Sequence, residues 1–416
     1  MLERKVVIMR RIILGTFLVA IVLIAAGSGF DSSGNKLASG LDVPKAKAQI
    51  RGPAATLSPL QREKISLKQD GLCYHKTTAG EAWDDPEKLG YEVTDPVYEL
   101  FAFEQEFDEN GNAKYTDIVV PKEIDGAPVI DCNSFVDHYE IKSLRIKAVY
   151  DDWRDYSTRP EEDDIMFSRV AGCSSMEYFE MPDYMRSVSL EDMMGCRSLK
   201  TLAVSKNVDI IGESAFRDCK NLQTIKFKKF SNLRILDGLK ELSWWMNRHT
   251  QKNGMVIYKK CLVDIGKCKG TVTIRGNKVN KIMPDAFAYS KVSTIKVINV
   301  KELGEGAFAD SNAQKIVLGK TISAIPSASF VWNNKLKEIH ILSKQKIIWG
   351  KNKYGKFEGL DLTYLESPKI DVYIHSDKFH TESVKKWGCG KNVTVHVPKK
   401  VMAKYRKYTK CKVVAL

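Results

Sequence analysis

Ile211-Gly212-Glu213-Ser214-Ala215-Phe216-Arg217-Asp218-Cys219-Lys220-Asn221-Leu222-Gln223-Thr224-Ile225-Lys226-Phe227 decides the fold, because its apolar frame returns along the chain. Cys173, Cys196 and Cys219 stand 23 residues apart. Three residues before each come Val170, Met193 and Phe216, and three after come Met176, Leu199 and Leu222. Six after come Phe179, Leu202 and Ile225, and eight after come Met181, Val204 and Phe227. Four apolar columns in step are the mark of an internal repeat.

The frame recurs downstream as Phe287, Ser290, Val292, Ile295, Val297, then Phe308, Ser311, Ala313, Ile316, Leu318, then Phe330, Asn333, Leu336, Ile339, Ile341. Phe135, Ile141, Leu144 and Ile146 form a degenerate first copy. A unit this short buries its apolar side only by stacking on its neighbours, which predicts a solenoid. Within each unit, segments such as Tyr178 to Met181, Ile225 to Phe227 and Ile316 to Leu318 alternate apolar with variable, the period of a short strand with one buried face. Gly-bearing turns precede the aromatic in Leu303-Gly304-Glu305-Gly306-Ala307-Phe308, and Ile282-Met283-Pro284-Asp285-Ala286-Phe287 is its counterpart; the small Ala leaves room for the ring.

These residues resemble the BspA-like class of leucine-rich repeats of bacterial surface proteins. The Ile-Gly-x-x-Ala-Phe-x-x-Cys-x-x-Leu run carries the likeness, with the entry segment from Ile118 to Val129 and the hairpin-like unit from Asn253 to Tyr258 through Thr271 to Ile274. Val395 to Tyr405 looks like the closing strand and helix. The resemblance implies an α/β repeat: a right-handed leucine-rich-repeat solenoid with short parallel strands, turn or short-helix connections and an inserted β-hairpin unit. It also implies noncovalent recognition or adhesion at a cell surface.

The expected organisation is 1–30 a signal peptide or membrane anchor, 31–70 a linker, 71–128 a β-rich cap, 129–342 the solenoid, and 343–416 basic repeats with a closing cap. Arg4, Lys5, Arg10 and Arg11 precede the apolar run Ile12 to Ala26, which points to export. Ala46-Lys47-Ala48 is a candidate cleavage site, and the alternative is retention of the run as an anchor. The remainder is globular in composition, 44% hydrophobic and 28% charged.

About +12 of the net charge of +14 falls in residues 331–416, while an insertion around Asp151 to Asp164 is acidic. Lys399, Lys400, Lys404, Arg406 and Lys407 form a candidate patch for an anionic wall polymer or lipid surface; the plainer reading is a solubilising lysine-rich surface. Nucleic acid is not expected, since no recognised nucleic-acid module is present.

Of the nine cysteines, the three in the repeat are replaced at the same position by Ser290, Ser311 and Asn333. Small size and hydrogen-bonding capacity unite these types, so buried thiols are expected over a metal column. Cys261 with Cys268, and Cys389 with Cys411, are candidate local bridges.

No phosphate loop, nucleophile elbow or His-Glu-x-x-His pair occurs, so neither catalysis nor a cofactor is expected. Asp108, Asn110 and Asn112 imitate a calcium loop, but Ala113 and Val119 break the pattern and a hairpin turn is expected there. Binding falls to the outward strand positions, of which Tyr178, Glu180, Lys226, Lys296, Lys315, Glu338 and His340 are the candidate ligand contacts. Trp244 and Trp245 are further candidates, set against packing beneath their own loop. A surface protein or glycan ligand fits this reading; an envelope protein held by its basic end is the first alternative, and an enzyme on a repeat scaffold the second.

Overall fold

Tyr98 to Phe103 and Leu72 to Thr78 pair antiparallel at the start of a chain that otherwise pairs mostly in parallel. The computed structural model describes residues 57–82, 86–131, 135–148, 150–151, 170–350, 359–362, 365 and 367–416, all within the unit Pro53–Leu416. The apolar run at Ile12 to Ala26, the cleavage site after Ala48 and most of the acidic insertion lie outside these residues. Among the described residues no helix is long and apolar enough to cross a membrane.

The long strands form two parallel ladders. The first comprises β1 (Asp117–Val120), β2 (Ser143–Ile146), β3 (Tyr178–Glu180), β4 (Thr201–Val204) and β5 (Thr224–Phe227). Its register sets Ile118, Leu144, Phe179, Leu202 and Ile225 side by side. The second comprises β6 (Lys269–Arg275), β7 (Lys291–Ile298), β8 (Lys315–Leu318), β9 (Glu338–Ile341), β10 (Ile370–Ile374), β11 (Val393–Val397) and β12 (Lys412–Ala415). Here Val272, Ile295, Ile316, Ile339, Val372, Val395 and Val413 are aligned. All twelve of these side chains are buried, each worth roughly 1.5–3 kcal/mol of apolar transfer. Short parallel pairs, such as Ser187–Val188 with Ile210–Ile211 and Lys281–Ile282 with Glu302–Leu303, make a second row.

The column that holds Cys, Ser or Asn has one recurring task. Cys173 Sγ donates to the Phe135 carbonyl at 2.9 Å, Cys196 Sγ to Val170 at 3.0 Å and Cys219 Sγ to Met193 at 3.8 Å. Each acceptor belongs to the apolar anchor of the preceding coil. Asn333 repeats the bond with an amide, Nδ2 to the Phe308 carbonyl at 2.7 Å, and also reaches Phe330 at 2.8 Å. Ser311 Oγ instead donates forward to Asn333 Oδ1 at 2.5 Å. Ser290 is the exception, its Oγ buried with no hydrogen-bond partner; at the other positions the pattern is one of donors that cross a buried coil boundary. Burial pushes the Cys173 and Cys219 thiols up to about 12, and the Cys196 thiol upward as well.

The turn ahead of each anchor is equally periodic. Ser214, Asp285, Gly306 and Ala328, two residues before Phe216, Phe287, Phe308 and Phe330, have φ of 59°, 51°, 63° and 57°. Only Gly306 occupies this left-handed region without cost. At Gly304 a Cβ would collide with the Pro284 nitrogen of the preceding coil, so the close passage of two turns requires glycine there.

The long strands divide into two ladders at the inserted hairpin unit. After β5 the chain forms helical turns at Asp237–Lys240 and Ser243–His249, then the hairpin of Val256–Tyr258 with Cys261–Asp264. Trp245 is buried and stacks on Phe230 at 6.0 Å, with Tyr258 meeting Phe230 edge-on at 4.8 Å. Lys259 Nζ donates to the Phe227 carbonyl at 2.6 Å, and Arg248 Nη1 to the Gln223 carbonyl at 2.9 Å, so side chains occupy carbonyls beside β5. Phe216 belongs to the core of the first ladder, while Phe287, Phe308 and Phe330 stack in the core of the second, at 5.4 and 5.9 Å. The anchor rings therefore form a column of three, with Phe216 apart from it.

Cys389 and Cys411 form a disulfide, whereas Cys261 and Cys268 are both free thiols. Asp108 Oδ1 accepts the backbone N–H of Asn110 and Asn112, and Phe107 bridges Ala113 antiparallel, which is the hairpin turn expected from the sequence.

Candidate functional site

The strand face of the first ladder is largely self-satisfied. The Arg145 guanidinium lies 4.7 Å over the Tyr178 ring, and Glu180 sits 3.5 Å from Lys228. Lys226 is exposed between the buried Ile225 and Phe227.

The second ladder arranges its outward residues differently. Register places Lys296, Val317, His340, Tyr373 and His396 in one column and Thr294, Lys315, Glu338 and Asp371 in the next. His340 and Tyr373 stack at 4.5 Å and 10°, and Tyr373 and His396 at 4.4 Å and 16°. Each imidazole also meets a carboxylate: His340 Nε2 lies 2.8 Å from Glu338 and His396 Nε2 lies 2.9 Å from Asp371. Lys315 Nζ donates to Glu338 at 2.7 Å, and Lys369 pairs with Asp371 at 3.0 Å. Hydrogen bonds from Lys315 and His340 hold the Glu338 carboxyl below its usual range. Burial raises the Asp371 carboxyl, but the bonds from His396 and Lys369 outweigh it and leave it lowered. Because the ring faces are spent on one another, the stack turns its edges outward. The result is a row of nitrogens, a phenol and carboxylates suited to hydrogen-bonding a partner.

Tyr373, His396 and Asp371 were not among the candidate contacts, although the same alternation, extended into β10 and β11, points to them. Two other residues carry a subtler signal. Tyr289 is 79% exposed and Trp332 48% exposed, with φ of 57° and 58°. The equivalent positions before Cys173 and Cys196 are Gly172 and Gly195. Bulky aromatics in a left-handed conformation that favours glycine cost stability and leave apolar surface in solvent. An aromatic at a position that elsewhere holds Gly or Asp is the sequence feature that marks them. Trp245, by contrast, is core, and Trp244 is half-buried beneath the Arg248 guanidinium at 5.0 Å.

The basic patch lies on the closing helix Lys399–Tyr408, which buries Val401 and Tyr405. Lys399, Lys404 and Lys407 are exposed, and Lys400 pairs with Asp377 at 3.3 Å. Arg406 is engaged otherwise: Nε and Nη2 donate to the Val413 carbonyl at 3.2 and 3.1 Å, tying the helix to β12. Among the described residues no cluster of His, Cys, Asp and Glu is arranged to hold a metal ion.

With this geometry the class of protein is defined by its repeat. Residues 164–237 and 257–387 match the BspA type leucine rich repeat region, in six copies. The chain belongs to the BspA-type leucine-rich-repeat proteins. Among solved structures it is similar to a leucine rich cell surface protein from Faecalibacterium prausnitzii A2-165, at 14% identity over 75% of this chain and 93% of that one, TM-score 0.27. It is also similar to the pneumococcal vaccine antigen PcpA, at 14% identity over 84% and 98%, TM-score 0.30. A leucine-rich repeat protein from Bacteroides ovatus ATCC 8483 gives 14% identity over 84% and 100%, TM-score 0.22. No curated protein matches the chain.

Proposed function

We propose that this chain is an exported cell-surface protein that recognises a protein or glycan partner noncovalently through the strand face of its second ladder. The observation that carries the reading is the outward column of His340, Tyr373 and His396 with Glu338, Asp371 and Lys315 beside it. These side chains are ordered by one another and have no core duty. Membership of the BspA-type family and the basic, apolar N-terminal run support a surface location.

Affinity capture from surface extracts at low and high salt tests the proposal. Saturable capture that survives high salt and is lost in the His340→Ala/Tyr373→Ala variant is the expected result. Capture that fades with salt and ignores the face favours the structural alternative, in which Lys399, Lys400, Lys404 and Lys407 hold anionic wall polymer or lipid electrostatically. Protease added to intact cells should digest the repeats, and protection equal to a cytoplasmic marker would refute export. A mature N-terminus at Gln49 would identify cleavage after Ala48; a start at Met1 would identify an anchor.

A further inference from the structure

On the row of short strands, away from the ladder face, lies an open depression of about 530 Å³, within the roughly 300–1,000 Å³ range of small-ligand sites. Successive coils build it at one register position. Arg186, Asp209 and Arg234 each precede the short strand or bridge of their coil, with the Asp209 N–H donating to the Arg186 carbonyl and the Arg234 N–H to that of Asp209. Lys281 and Glu302 open the short strands further on, one residue past the matching position, and Lys229 adds a fourth cation.

The charges are unequally spent. Arg234 Nε pairs with Asp209 Oδ2 at 2.7 Å, and Lys281 Nζ donates to the Ser231 carbonyl at 2.6 Å. Among the described residues the side chains of Arg186 and Lys229 have no hydrogen-bond or ion-pair partner, and both residues are exposed. Asp209 Oδ1, at the same site, is buried and has no donor. Two unneutralised cations call for an anion, the guanidinium favouring a planar carboxylate that can accept two of its N–H groups. An acceptor without a donor calls for a hydroxyl, which would gain a bond there without displacing another. A ligand that offers both on one short scaffold is an acidic sugar.

We propose that this depression binds a carboxylated sugar, a uronic-acid unit of an acidic glycan, with Arg186 and Lys229 taking the carboxylate and Asp209 a ring hydroxyl. The site is independent of the strand-face reading and uses none of its residues.

Titration of the full chain at fixed physiological salt with an oligogalacturonate, with a neutral dextrin of equal length and with polyglutamate of equal charge tests it. Saturable binding of the oligogalacturonate, at least tenfold tighter than either control, is expected. The exposed pair Arg186→Gln/Lys229→Gln should weaken it at least tenfold without shifting the melting temperature. Lys399→Gln/Lys404→Gln/Lys407→Gln should leave it unchanged. Equal binding by the Arg186/Lys229 variant, equal binding of polyglutamate, or loss on neutralising the closing helix would each overturn the proposal. Capture of a surface partner can succeed or fail independently of all three.

Discussion

The coils of the first ladder and those of the second solve one packing problem with different chemistry. Around Cys173, Cys196 and Cys219 the anchors are mostly aliphatic, and a thiol closes each coil onto the carbonyl behind it. Around Ser311 and Asn333 the anchors are stacked phenylalanines, and hydroxyl and amide do the closing. What is shared is a buried donor that crosses the coil boundary; what varies is its strength and the bulk it accompanies. The outer surfaces diverge in parallel. The first face is sparse and internally paired, while the second gathers rings, lysines and carboxylates into adjoining columns.

The largest effect should come from the aromatic column. Phe308→Ala removes the middle ring of three and should cost about 3–5 kcal/mol in denaturant unfolding; a loss under about 1 kcal/mol would place the ring outside the core. Next, Asn333→Ala strands the Phe308 carbonyl and the Ser311 N–H and hydroxyl, and should cost about 2–4 kcal/mol, since each buried unpaired group carries about 1–3 kcal/mol. The thiol column should be gentler. Cys196→Val keeps the bulk but removes one of two donors to the Val170 carbonyl, the Cys173 N–H remaining, at about 1 kcal/mol, whereas Cys196→Ser should stay within about 0.5 kcal/mol. Equal costs for Val and Ser would mean that size, not donation, selects the residue.

Of similar size is the effect of relieving strain. Tyr289→Gly should stabilise by roughly 1 kcal/mol, because the left-handed backbone no longer opposes a Cβ and an exposed ring is lost. A destabilised variant would show the ring packing more than its exposure indicates. The Glu338 ion pair gives a pH signature of known sign. Its lowered carboxyl contributes stability that is complete above the ordinary glutamate value and disappears as the pH falls through the lower folded-state value. Glu338→Gln should therefore flatten the stability profile in that acid window and nowhere else, and an unchanged acid limb would remove the pair from the account.

The repeat was legible because every coil must bury the same positions, so Phe179, Leu202, Ile225, Ile295, Ile316 and Ile339 announce themselves by period alone. The exchange of Cys for Ser and Asn announced a small polar role, though not the carbonyl each donor reaches. The break between the ladders was not legible, since it arises from Phe230, Trp245 and Tyr258 meeting across an irregular insertion that has no period. Of the strand face, alternation alone marks Lys315, Glu338 and His340 as outward positions, and the strand register sets Lys315 beside Glu338. Their ring partners Tyr373 and His396 come from coils whose spacing has drifted, and stacking between strands is a matter of register. The depression around Arg186 was invisible for the same reason: residues as distant in the chain as Arg186 and Glu302 meet only once the coils are stacked.

Recognition by the face of the second ladder is the central claim, and the affinity of a purified surface partner for the full chain and three variants tests it most directly. His340→Ala/Tyr373→Ala should lower that affinity at least tenfold, while Glu180→Ala/Lys226→Ala on the first ladder and Lys399→Gln/Lys404→Gln on the closing helix should leave it within twofold. Undiminished binding by the His340/Tyr373 variant, with loss in either of the others, would contradict the account.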